Sequence, residues 1–480
     1  MNTMLKGLLV AAMALSAAHV QATTNHTYLA PRPTGVNLAM ESVSFAELTN
    51  AKDDGRFGGD LQATVFYSKS DNPGARGRYF GFNDKNTLTT NDGGTPDRDL
   101  NKIIHYLANN RTTANTIKFA PEVQTYGVRF DYHQDLAKIL DGLYFKVQLP
   151  IVKVENDLGL NVTGANATDI KNYFNGSYSV ADGQANAQAA LTNAKIDGKR
   201  SETGIADIDM ALGYAFLNKE RYRAALNIGL TIPTGTAPKG AYAFEAVIGN
   251  GGHFALGAGL EGVARVWGDE HTNIKLNAAL NYRYAFEATE KRTLGVKSTS
   301  GAVTFGQYGQ DVLYSNPAHE IPAANITTLN VNVTPGSMID GIAGASYNRG
   351  GFTVDAGYNI HFKEKDAVSI KDAFTDTQYV AGSLYSYDFS GTIANHSING
   401  TDISSNTYLT KSTISGSQAA LNTDAARNES LSHKVYGQVG YIFKDMEYPV
   451  MLATGGHYEF AGNNSSVQNW GVNLKAGLSF

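Results

Sequence analysis

Apolar and polar residues alternate along this chain with a period of two. From Tyr222 to Pro233, "YRAALNIGLTIP", one face carries Tyr222, Ala224, Leu226, Ile228, Leu230 and Ile232. The other face carries Arg223, Ala225, Asn227, Gly229 and Thr231. "NIKLNAALNYRYAF" repeats the pattern, with Ile274, Leu276, Ala278, Leu280, Tyr282, Tyr284 and Phe286 set against Lys275, Asn277, Asn281 and Arg283. The last ten residues, "GVNLKAGLSF", do so again and stop on Phe480. Strict alternation marks a strand with one apolar and one polar face. These runs exceed the about 5–6 residues of an ordinary strand. They reach the about 9–11 that a tilted strand needs to cross a bilayer.

The pattern predicts strands at 59–68, 123–133, 142–153, 204–217, 221–233, 253–267, 273–287, 336–348, 351–362, 432–444, 448–460 and 468–480. Segment 336–348 fits least well, because Met338 and Ile342 fall on its polar face. Tight connections at 218–220, 268–272, 349–350 and 445–448 alternate with long ones at 69–122, 154–203, 288–335 and 363–431. Short turns on one side and long loops on the other characterise an outer-membrane barrel. The expected fold is therefore all-β: an antiparallel transmembrane β-barrel of about 12 strands, about 14 being the alternative count, with short periplasmic turns and long extracellular loops. In such a barrel the last strand pairs with the first and needs no tail. A terminal Phe after alternating apolar residues resembles the assembly signal of Gram-negative outer-membrane proteins, so Phe480 is assigned that role. Tyr214, Phe216, Tyr222, Trp267, Phe286, Tyr358, Phe362, Tyr441, Phe443, Tyr458, Phe460, Trp470 and Phe480 lie on the apolar face near strand ends, where interfacial girdles belong.

The amino-terminal stretch has one cation, Lys6, an apolar run from Leu8 to Leu15, and small residues ending at Ala22. That layout predicts a signal peptide over 1–22, cleaved after Ala22. Residues 23–57 are then expected as a periplasmic segment, and 58–480 as the barrel. The expected location is the outer membrane. Its expected partners are outer-membrane lipid and lipopolysaccharide, the barrel-assembly machinery, and small solutes. The absence of Cys excludes disulfides, thiolate metal sites and a lipid anchor on Cys. A formal charge of −5 and the lack of a basic stripe argue against nucleic acid as a partner.

The inward face carries Arg129, Lys146, Arg223, Arg265, Lys275, Arg283, Lys434 and Lys475. It also carries Asp131, Asp207, Asp209, Glu261, Asp340, Asp355 and Glu459. The two signs nearly cancel. Charges inside a barrel must be hydrated or paired, since an isolated buried ion costs several kcal/mol. Either they line a water-filled path or they pair across the lumen and plug it. No chemistry stands beside them. "GAGLEG" at 257–262 matches a dinucleotide fingerprint, but the alternation runs straight through it and no helix follows. "GTAPKG" at 235–240 lacks the end of a phosphate loop, and "DGGTPDRD" at 92–99 lacks calcium-hand spacing. No catalytic residue, cofactor or metal site is expected. One loop segment stands out: Leu100, Ile103, Ile104 and Leu107 form an apolar stripe over Asp99–Asn110, which predicts a short helix that folds over or into the barrel mouth.

The middle of the chain, "GIADIDMALGYAF", "LNIGLTIPTGTAPKG" and "FEAVIGNGGHFALGAGL", resembles the outer-membrane barrels grouped as the phenol meta-pathway family. The shared features are Gly204 and Asp207 opening one strand, Pro233-Thr234-Gly235 closing the next, and a Gly-rich return. The stretch 128–158 also resembles barrels of Chlamydia-like bacteria. The first resemblance implies a channel in the outer membrane, in a family tied to uptake of aromatic compounds. The reading from the residues is a passive channel for small solutes. The alternative is a surface barrel whose long loops, above all the Ser/Thr/Asn-rich 363–431, bind host or neighbouring molecules.

Overall fold

The computed structural model describes residues 26–33, 37–40, 58–80, 86–90, 115–179, 189–297, 304–305, 312–315, 319–371, 379–380, 384–387, 393–396, 421–462 and 465–480. The signal peptide expected at 1–22 and the helix expected at Asp99–Asn110 lie outside them.

Twelve strands close into one antiparallel barrel. They are β1 (Gly59–Ser70), β2 (Glu122–Asp135), β3 (Leu143–Asp157), β4 (Ile208–Lys219), β5 (Tyr222–Ile232) and β6 (Ala255–Gly268), followed by β7 (Thr272–Ala285), β8 (Gly336–Arg349), β9 (Phe352–Lys363), β10 (Ser430–Phe443), β11 (Val450–Ala461) and β12 (Asn469–Ser479). Each pairs with its neighbours in sequence, and β1 pairs with β12 from Asp60↔Ser479 to Ser70↔Asn469, which removes the edge. The alternation dictates the two faces. Leu226, Leu260 and Leu280 are direct cross-strand partners on β5, β6 and β7 and point outward, 54%, 45% and 44% exposed. Exposed aliphatic rows of this kind suit lipid, not water. Tyr214, Phe216, Tyr222, Trp267 and Tyr441 are exposed toward the periplasmic rim, and Phe286, Tyr358, Phe460 and Trp470 toward the extracellular one.

The pattern breaks where the backbone must. The register slips between Arg265 and Trp267, so Val266 and Trp267 both face out. A second irregularity lies opposite Pro150 on β3. Gln148 pairs with Asp209, yet the next pair is Ile151↔Ile205, on the short strand Arg200–Ile205. Pro150 has no N–H to give; only its carbonyl accepts, from Ala206 N–H at 2.8 Å. The strand expected over 204–217 is therefore interrupted at Ala206–Asp207.

The long connections build a cap on the extracellular side with a core of its own. Helix α1 (Pro73–Phe80) contributes Tyr79 and Phe80, and helix α2 (Ala167–Asn175) contributes Ile170, Tyr173 and Phe174. Spacings of three and four put the α2 residues on one face. Gly176 ends that helix at φ 83°, a conformation other residues adopt only at a cost. Leu88, Ile117, Phe119, Phe244 and Leu29 belong to the same cluster. The expected loop-forming stretch 363–431 falls largely outside the described residues.

Candidate functional site: the barrel lumen

Inward positions on facing strands bring opposite charges within reach. Lys146 (β3) lies 2.7 Å from Glu261 (β6), and Arg223 (β5) reaches the other oxygen of that carboxylate at 3.0 Å. The Tyr144 hydroxyl donates to it as well, at 3.0 Å. Arg283 (β7) meets Asp209 (β4) at 3.1 Å, and Thr231 donates to the same oxygen at 2.5 Å. Arg129 pairs with Asp131 on its own strand at 3.0 Å. Lys434 (β10) lies 3.2 Å from Glu459 (β11). Arg265 pairs with Glu220 in the adjoining turn. Asp355 accepts from Ser346, and Asp207 accepts from the Asn250 N–H at 2.7 Å. Gly249 packs on that Asp207 carboxylate at φ 79°, where a Cβ would stand 2.4 Å from the oxygen. Lys275 is half-buried and Lys475 is 3% exposed. Many of the wall's charges are thus paired, several with added hydrogen bonds, which is how buried charge becomes tolerable.

Residues 26–33 and 37–40, ahead of β1, run from the cap into the space between these groups. His26 stacks on Tyr79 of the cap, with ring centroids 4.1 Å apart. Thr27 donates its N–H to Ala425 O at 2.8 Å and its hydroxyl to Thr293 O at 2.5 Å. Arg292 lies over the Tyr28 ring at 3.7 Å. Further in, Arg32 reaches three strands of the barrel wall. Its Nη2 donates to Asp340 Oδ2 on β8 at 2.5 Å. Its Nη1 donates to Asn359 Oδ1 on β9 at 2.8 Å and to Glu459 Oε1 on β11 at 3.3 Å. Arg129 donates to Asn37 O at 3.1 Å, and Lys434 to Asn37 Oδ1 at 3.2 Å. Leu38 and Ala39 then pack on Ile342. The periplasmic placement expected for 23–57 therefore does not describe residues 26–33 and 37–39, which lie against the cap and among the inward side chains.

This contact explains the weakest strand. Ile342 is inward and apolar because Leu38 and Ala39 sit on it, and Met338 packs between Ala255 and Ala285. Arg32 itself was not singled out by periodicity. The signal for it is Pro31-Arg32-Pro33: two fixed φ angles hold the arginine on an extended, stiff stretch. What room is left beside the segment is small. One cavity of ≈ 100 Å³ lies against Asn227, Gly229, Gly257 and Glu261, with Asn37 and Leu38 closing it. Another of ≈ 70 Å³ lies between Arg32, Ser68, Thr125 and Lys434. Each holds a few waters at about 30 Å³ apiece.

The chain matches no family model and no curated protein. Among solved structures it is similar to the COG4313 outer membrane channel from Pseudomonas putida F1, at 11% identity and a TM-score of 0.35, covering 89% of this chain and 100% of that one. It is similar also to a Pseudomonas aeruginosa FadL homologue, at 11% identity and 0.29, over 95% and 98% of the two chains. The CymD monoaromatic hydrocarbon channel aligns at 11% and 0.27, again over 95% and 98%. At these scores the likeness bears no weight on function. The barrel is read from its own unbroken ring of strand pairs.

Proposed function

We propose that this protein is an outer-membrane channel for small solutes, held closed by its own amino-terminal segment. It sits in outer-membrane lipid and lipopolysaccharide and is inserted by the barrel-assembly machinery. The observation that carries the reading is the clasp of Arg32 on Asp340, Asn359 and Glu459. A barrel built only as an anchor has no need of a polar interior wall that grips a separable piece of chain. The wall is polar where a solute would pass, with ion pairs that stay satisfied without the segment: Lys146 with Glu261, and Arg283 with Asp209. The segment is attached by polar contacts at Thr27, Arg32 and Asn37, which can exchange with water, and by apolar ones at Leu29, Leu38 and Ala39.

The test is single-channel recording in planar bilayers of the full chain and of a variant lacking residues 26–40. The variant is expected to conduct steadily and the full chain to stay closed or open briefly. Two proteins that both fail to conduct above bare lipid, while migrating as folded barrels, overturn the channel reading.

A further inference from the structure

We propose that the place filled by Arg32 is a recognition site for a guanidinium group on a passing solute, and that Arg32 is its built-in occupant. The proposal rests on the channel reading, since a solute must reach the lumen.

Asp340, Asn359 and Glu459 are 3%, 0% and 3% exposed and stand on three strands of the rigid wall. Other residues of the wall help to hold their orientation. The Asn359 amide donates to Asp340 Oδ1 and to Gly341 O. Ser432 donates to Glu459 Oε1 at 2.5 Å, and Asn469 and Lys434 hold Oε2 at 3.1 and 3.2 Å. With Arg32 withdrawn, three acceptors would still converge on one empty place.

Charge and shape then select the occupant. Asp340 and Glu459 are negative and Lys434 is positive. Arg32 completes neutrality, so its departure leaves one buried negative charge without a partner, which strongly favours a cation in its stead. One nitrogen meets two acceptors and the second nitrogen meets a third, on different strands. A planar fork of donors fits this arrangement; a compact ammonium has its three donors on one nitrogen and does not present that fork. The Lys434 ammonium beside Glu459 also works against a divalent metal ion.

The experiment is chemical rescue in the full chain. Arg32→Ala empties the place and leaves the rest of the segment. Methylguanidinium is expected to raise the thermal unfolding midpoint of this variant. N-methylurea has the same outline without the charge and should leave it unmoved; methylammonium, charged but not forked, should act at best about tenfold more weakly. Adding Asp340→Asn should weaken the methylguanidinium effect about ten- to a hundredfold, the worth of one charge-assisted bond. Equal action by N-methylurea, or an equal rise for the unaltered protein, overturns the proposal. If Arg32→Ala does not fold, the variant lacking 26–40 is titrated with arginine amide and citrulline amide. A preference for the guanidinium supports the site and equal binding rejects it. These binding measurements need no conduction, so a barrel that binds arginine amide but never conducts removes the channel reading alone. One that conducts without preferring arginine amide removes the site alone.

Discussion

Gly59 and Phe480 exchange both of their backbone hydrogen bonds, Gly59 N–H to Phe480 O at 2.8 Å and Phe480 N–H to Gly59 O at 2.9 Å. They form the inner end of the seam between the first and last strands. The Phe480 ring also stacks on Tyr132, with centroids 6.4 Å apart. Deleting Phe480 removes all three contacts. Folded yield in membranes, read from heat-modifiable mobility, is expected to fall several-fold, and any barrel that does fold should be weaker by about 1–3 kcal/mol. Phe480→Ala keeps the backbone bonds and should lie between. Full yield from the deletion would exclude an assembly role.

Charge on the lipid side should be costly at mid-strand. Leu226→Arg and Leu280→Arg place a cation in the outward row described above and are each expected to cost about 2–4 kcal/mol. Asn227→Arg and Asn281→Arg turn inward beside a water-sized cavity and should cost less. Reversible urea titrations in lipid separate the two sets. Equal losses would mean the register is displaced by one residue.

One carboxylate gathers the backbone donors of a loop. Glu245 accepts from four consecutive backbone N–H groups, those of Lys239, Gly240, Ala241 and Tyr242, at 2.8, 3.0, 2.8 and 3.4 Å. Glu245→Ala leaves four donors unsatisfied, and the stretch 239–245 should open by about 2–4 kcal/mol locally. Trypsin cutting after Lys239 is the readout: the variant is expected to be cut at least tenfold faster, while the barrel itself stays intact. Unchanged cutting would show that the loop is held by other contacts.

The extracellular cap should loosen in acid. Burial alone would raise the carboxyl of Glu290, but Arg292 and His253 outweigh it and hold it below its ordinary 4.5. Asp366 is likewise held below its ordinary 3.8, by Lys363 and Arg292 against burial. Groups depressed in the folded state add stability above their ordinary values and lose it as pH falls through the folded ones. Hydrogen exchange over 288–293 and 367–370 should therefore be slow at neutral pH and accelerate only below about pH 4.5. Glu290→Gln should flatten that profile. A profile already changing at pH 6 would point to other groups.

The barrel was legible because its signal is local and repeats. Leu226 and Asn227 announce their faces by being neighbours, and the same rule holds in each of the barrel's strands. The kink at Ala206–Asp207 was visible only in part, since its cause, Pro150, lies on another strand. The clasp was not legible. Arg32 meets Asp340 and Glu459, which follow it by 308 and 427 positions, and no period links them. What the alternation did record was the imprint of the segment, the apolar Ile342 on a polar face. The cap core is similar: Leu29, Phe80, Phe119, Tyr173 and Phe244 come from the segment ahead of β1 and three separate connections, and no one of these stretches carries the pattern alone.

The segment ahead of β1 constrains the order in which the molecule is made. β1 starts at the periplasmic rim, yet His26 lies against Tyr79 at the opposite end. A cylinder already zipped along Gly59 and Phe480 would have to take in residues 26–33 from below and pass them up through its lumen. Laying the segment across a still-open, half-curled sheet needs no such passage. The seam is then the final stitch, drawn closed over a peptide already in place.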